Sequence, residues 1–74
     1  MPNTDKKALR QFGNNVARLR STKSMTQEQL AERSNLDRMT IAFVEGGRRF
    51  PRLSTLQAIA KALGVDVKDL FEGL

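Results

Sequence analysis

The sequence predicts an all-α domain, a compact five-helix bundle with a tight helix-turn-helix at its centre. Three observations predict it. Apolar residues return every three or four positions and never alternate as strand residues do. Capping and breaking residues punctuate the chain every ten to twenty positions: Thr26, Asp37, Ser54 and Asp66 at helix starts, Asn35, Gly46-Gly47 and Gly64 at helix ends. At 74 residues without a cysteine, the chain has room for one core and no disulfide to reinforce it.

Residues 1–4 show no periodicity and are expected as a flexible N-terminal tail, leaving 5–74 as the folded domain. The first helix is expected from about Asp5 to Lys23. Leu9, Phe12, Val16 and Leu19 fall on one face of it, and Gly13 leaves room for a close neighbour. Thr26-Gln27-Glu28-Gln29 has capping-box form and opens a short second helix reaching about Arg33, with Leu30 and Ala31 inward. Ser34-Asn35-Leu36 breaks it, since asparagine tolerates a left-handed backbone. Asp37 caps a third helix over Arg38–Glu45, which Gly46-Gly47 stops. Arg48 to Arg52 read as a basic loop around Pro51. Ser54-Thr55-Leu56-Gln57 reads as a second capping box opening a fourth helix that ends at Gly64, with Leu56, Ile59, Ala60 and Leu63 inward. Asp66 starts a last short helix carrying Val67, Leu70 and Phe71.

Composition removes whole classes of chemistry. With neither histidine nor cysteine, imidazole and thiolate metal sites, Ser-His-Asp triads and histidine acid-base catalysis are all excluded. No convergent catalytic constellation is visible, so no enzyme, cofactor or metal site is expected. The apolar runs are too short to cross a bilayer and no leader with a cleavage site opens the chain, so a cytoplasmic location is expected. The charge is uneven. Residues 1–52 carry eleven Lys/Arg against five Asp/Glu, net +6, whereas residues 53–74 carry net −1. One end is suited to an anionic partner, a nucleic acid above all.

The middle pair of helices, joined by a three-residue turn inside the basic half, has the form that leaves its second helix exposed to enter a major groove. Ile41 and Val44 join Leu30, Ala31 and Leu36 in the core. Arg38, Met39, Ala42 and Phe43 are then left pointing outward, because burying them too would make the helix apolar nearly all round. An outward Phe43 calls for a partner, and a thymine methyl is one.

From Phe12 to Phe71 the chain resembles the lambda and 434 phage repressor and Cro family, often called the XRE family. The marks are Arg18-Leu19-Arg20, Met25-Thr26-Gln27-Glu28-Gln29-Leu30-Ala31-Glu32, Ile41 three before Val44-Glu45, then Gly47, Pro51 and Ile59-Ala60-Lys61-Ala62-Leu63-Gly64-Val65. Asn35 stands where the family usually has glycine. The resemblance implies a phosphate contact for Gln27, base contacts for Arg38, Met39 and Phe43, and a place near the DNA backbone for Thr40. The family's base readers are commonly polar, and Met39, Ala42 and Phe43 depart from that. It also implies a structural ion pair between Arg20 and Glu45. Ser34-Asn35-Leu36-Asp37-Arg38 followed by Arg48-Arg49 most resembles the small stand-alone controller proteins of restriction-modification systems, which dimerise through C-terminal helices and switch their own promoter. That likeness implies Arg38 and Arg49 as main DNA contacts.

The expected function is therefore a transcriptional regulator, repressor or controller protein, that binds an inverted-repeat operator in double-stranded DNA as a homodimer. Arg48, Arg49 and Arg52 are expected to grip phosphates while Arg38 and its neighbours choose sequence. Val67, Leu70, Phe71 and Leu74, on the non-basic end, are the expected dimer interface, shared in part with the monomer core. Antitoxins and phage repressors on the same scaffold remain alternatives. So does a protein-interaction adaptor that uses the apolar Met39/Ala42/Phe43 face without DNA.

Overall fold

Helix-forming signals and their breakers divide the chain into α1 (Pro2–Thr22), α2 (Gln27–Ser34), α3 (Arg38–Glu45), α4 (Leu53–Leu63) and a 3₁₀ helix over Val67–Phe71. The computed structural model describes residues 2–74, with side chains from Lys6 onward. Among these residues there is no strand. Helical backbone begins at Pro2, ahead of the expected Asp5, while Met1 of the expected tail lies outside the described residues.

The short-range signals act where they stand. The Thr26 hydroxyl accepts the Gln29 N–H at 3.1 Å, and the Thr26 N–H donates to the Gln29 side chain at 2.8 Å, so α2 opens with two satisfied donors. It closes on Asn35 at φ 58°, a left-handed residue whose amide satisfies the last carbonyls of the helix. The Asp37 carboxylate then accepts the Thr40 N–H at 2.8 Å and starts α3.

Two expectations are corrected. Ser54 does not cap α4: the helix starts one residue earlier at Leu53, its N-cap is the extended Arg52, and no side chain closes the cap. The Arg52 carbonyl accepts the Leu56 N–H at 3.1 Å, so the first turn is already formed when Ser54 is reached. The fifth segment is not an α-helix. Over only five residues the ladder is i→i+3, with the Asp69 N–H on the Asp66 carbonyl at 3.0 Å, giving four α-helices and one 3₁₀ helix.

Phe12, Val16, Leu30, Ile41, Ile59, Leu63 and Leu70 form a single, almost fully buried core that every element enters. Gly13 lets α3 end against α1: a Cβ there would lie 2.5 Å from the Glu45 carbonyl oxygen. Gly47, at φ 65°, plays the same part for the next turn, where a Cβ would meet the Leu9 carbonyl at 2.8 Å. These two glycines bring the C-terminal end of α3 and the loop after it down onto α1.

A candidate nucleic-acid interface on α3 and the loop after it

The eight residues of α3 divide by period into an inner and an outer set. Ile41 and Val44 are buried. Met39 is 69% exposed, Arg38 and Phe43 are exposed, and Thr40 and Ala42 are half-buried at the margin. An exposed methionine beside an exposed phenylalanine is an unusual choice for a solvated helix face.

Behind this face lies a chain of polar contacts. Arg20 on α1 grips Glu45 through two bonds, Nε to Oε2 at 2.7 Å and Nη2 to Oε1 at 3.0 Å, and its Nη1 donates to the Met25 carbonyl at 2.7 Å. The side chains are 18% and 7% exposed, which places the pair in a sheltered setting. The bond to Glu45 holds the Arg20 guanidinium above its ordinary pKa, so the charge is permanent. A fork-on-fork contact of this kind fixes direction as well as distance. Gln27 at the start of α2 donates its amide to Glu45 Oε1 at 3.0 Å, and its carbonyl faces Arg38 Nη1 at 3.5 Å. Gln27 and Arg38, from different helices, thus meet on the exposed edge. Arg38 also lies 4.0 Å from Glu28 and 3.8 Å from the Met39 sulfur, contacts loose enough to exchange for a ligand. The Asp37 carboxyl is held below the usual carboxylate range by the hydrogen bond from the Thr40 amide.

Beyond α3, Arg48, Arg49 and Arg52 are exposed, and none has a salt bridge to a described carboxylate. Phe50, though 43% exposed, sets its ring 5.4 Å from Phe12 and 6.0 Å from Phe71, anchoring the loop to the core. An open groove between α3 and this loop is lined by Met39, Thr40, Phe43, Arg49, Arg52 and Thr55. Seven of the eight residues expected to touch DNA thus lie on α3 or the loop after it, and Gln27 joins them through Arg38.

The residues expected at the dimer interface separate. Leu70 is fully buried in the core of its own chain and has no surface to offer a second copy, a correction to the expected set. Val67 and Phe71 are half-buried, and Leu74 is 51% exposed. Asn15 is a residue that the pattern on α1 does not single out. It is 2% exposed, and its amide donates to the carbonyls of Leu70 at 2.9 Å and Glu72 at 2.8 Å, pinning the C-terminal segment to α1. Its side-chain oxygen accepts from Gln11 at 3.0 Å. Among the described residues no group of carboxylates gathers to hold a metal ion, and no helix is long and apolar enough to cross a membrane.

Known proteins resemble this chain in sequence and in fold. A helix-turn-helix family model matches residues 16–70. The control protein C.BamHI of Bacillus amyloliquefaciens is 44% identical over 62 residues, 82% of this chain and 76% of that one. The immunity repressor protein of Bacillus phage phi105 is 46% identical over 55 residues, 74% of this chain, and the match spans only 38% of the repressor's length. Among solved structures, the restriction-modification controller protein C.AhdI from Aeromonas hydrophila superposes with a TM-score of 0.82 at 38% identity, covering 85% of this chain and 96% of that one. With a family match over residues 16–70 and a similar controller protein aligned along nearly its whole length, the chain belongs to the XRE-type helix-turn-helix family.

Proposed function

We propose that this chain is a sequence-specific DNA-binding transcriptional regulator that acts as a homodimer on an inverted-repeat operator, in the manner of a restriction-modification controller protein. The observation that carries the reading is α3 itself. Its outer face presents Arg38, Met39 and Phe43, Arg48, Arg49 and Arg52 follow with no salt bridge to a described carboxylate, and the Arg20–Glu45 pair braces the helix from behind. An α-helix of this width fits the major groove, where an arginine can take a guanine by two bonds. The loop arginines supply the charge that phosphates require. The relatives named as control proteins and as an immunity repressor support a role at promoters. The half-exposed Leu74, with Val67 and Phe71 beside the core, supports an interface at the C-terminal end. The function is one of binding and not of catalysis.

Selection of duplexes from a random library by the purified protein tests this. The expected product is a pair of inverted half-sites with centres about one helical turn apart, roughly 34 Å. A library that stays random after repeated rounds overturns the reading. An adaptor that used the same apolar face for a protein partner would return that outcome, and its binding would tolerate salt.

A further inference from the structure

Phe43 has surroundings that its position on α3 does not announce. The guanidinium carbons of Arg48 and Arg49 lie 5.7 and 5.6 Å from the centre of its ring. At that distance the ring quadrupole attracts a cation, and arginine, planar and weakly hydrated, suits it well. Neither arginine has a salt bridge to a described carboxylate that would compete for it. Two like charges on adjacent residues repel, and free arginine side chains sample many rotamers. Each needs a reason to stay at the end of α3, and the ring supplies one to both. The loop geometry brings them there: Gly47 turns the chain at φ 65° against α1, so residues five and six positions beyond Phe43 fold back over it. Phe43 itself is 44% exposed, so its ring is open to both guanidiniums.

We propose that Phe43 is a positioning residue, an aromatic platform that holds the Arg48 and Arg49 guanidiniums ready beside the recognition helix and does not itself read a base. This rests on the DNA-binding reading above and deepens it. Ordering two arginines before the duplex arrives removes part of the entropy cost of binding. It also accounts for an exposed phenylalanine at a position where a polar base reader is common in the family.

The test has one arm in the free protein and one with DNA. In NMR spectra of the free protein, ring protons of Phe43 should show cross-relaxation to the Hδ or Hε protons of both arginines. Phe43→Trp should keep these contacts and Phe43→Leu should abolish them. With the duplex enriched by the wild-type protein, Phe43→Leu should weaken binding by about four- to twenty-five-fold, two lost contacts at about two- to fivefold each, and Phe43→Trp should bind nearly as wild type. In an Arg48→Ala/Arg49→Ala background Phe43→Leu should cost nothing further, because the ring acts through those residues. An equal loss in both backgrounds means the ring touches DNA itself and overturns the proposal, as does a wild-type spectrum without the cross-relaxation. The wild-type spectrum needs no variant, so a folding defect in Phe43→Leu leaves the decision standing. If the wild-type protein enriches no duplex, the DNA reading fails, and the spectra still decide whether the platform exists.

Discussion

Arg20, Glu45, Gln27 and Arg38 form one line of contacts whose sheltered end and exposed end have different energetic roles. Arg20 and Glu45 are sheltered, bidentate and charged, so removing either strands the other. Arg20→Ala or Glu45→Ala should each destabilise the domain by about 2–4 kcal/mol, a large part of a total near 5 kcal/mol. The double variant should lose less than the sum, and a double-mutant cycle by urea unfolding measures the difference. Strictly additive losses would mean that the two charges do not act as a pair. Arg38, at the exposed end of the line, is held only by distant and solvated contacts, and its replacement should leave the melting temperature unchanged. Arg52 has no salt bridge to a described carboxylate, and Arg52→Ala should weaken binding to all duplexes alike and flatten the log–log salt slope by about one unit. A change in preferred base on that substitution would show that Arg52 reads the groove.

Among the elements, helix ends decide where the proposed recognition surface begins and stops. Asp37 starts α3 by accepting the Thr40 amide, which lowers its carboxyl pKa in the folded state relative to the unfolded chain. Its stabilisation is therefore complete above the unfolded carboxylate value, about pH 4, and is lost as pH falls through the lower folded value. Asp37→Asn keeps a capping oxygen without the titration, so its stability should fall less steeply below about pH 4. Thermal unfolding across pH 2–6 checks this, and parallel curves for both proteins would remove Asp37 from the acid limb. The Thr26–Gln29 box, the Asn35 turn and the Asp37 cap were legible in the sequence because each is a contact between residues four apart or fewer. The Ser54–Gln57 pattern has the same local form and misleads. The first turn of α4 closes from the Arg52 carbonyl just after Pro51, and no pattern inside the helix records that. The outer face of α3 was legible from helical period alone. The arginines over Phe43 were not, since they depend on how Gly47 seats the loop against α1.

Across the whole molecule, residues 1–52 are basic and carry the exposed helix, whereas residues 53–74 are near-neutral, and the proposed dimer contact at the exposed Leu74 lies in that second segment. Long-range packing was the least legible layer. The carbonyls Asn15 holds lie 55 and 57 residues away, and Phe12 meets Phe50 and Phe71 from far along the chain. The same layer divides the C-terminal apolar residues into a buried Leu70 and an exposed Leu74. Leu70→Ala opens a cavity in the core and should cost about 2–5 kcal/mol of stability. Leu74→Glu should leave stability intact and shift sedimentation toward monomer, and an unchanged dimer would place the interface elsewhere. Whether α3 selects sequence through Arg38 is read from the ratio of affinities for the enriched operator and a scrambled duplex, in wild type and Arg38→Ala at one salt concentration. An arginine held bidentate on guanine contributes about 1–3 kcal/mol of discrimination per half-site, so the ratio should collapse by about five- to 150-fold per half-site with the fold unchanged. A ratio that stays at its wild-type value would mean that Arg38 does not choose the operator.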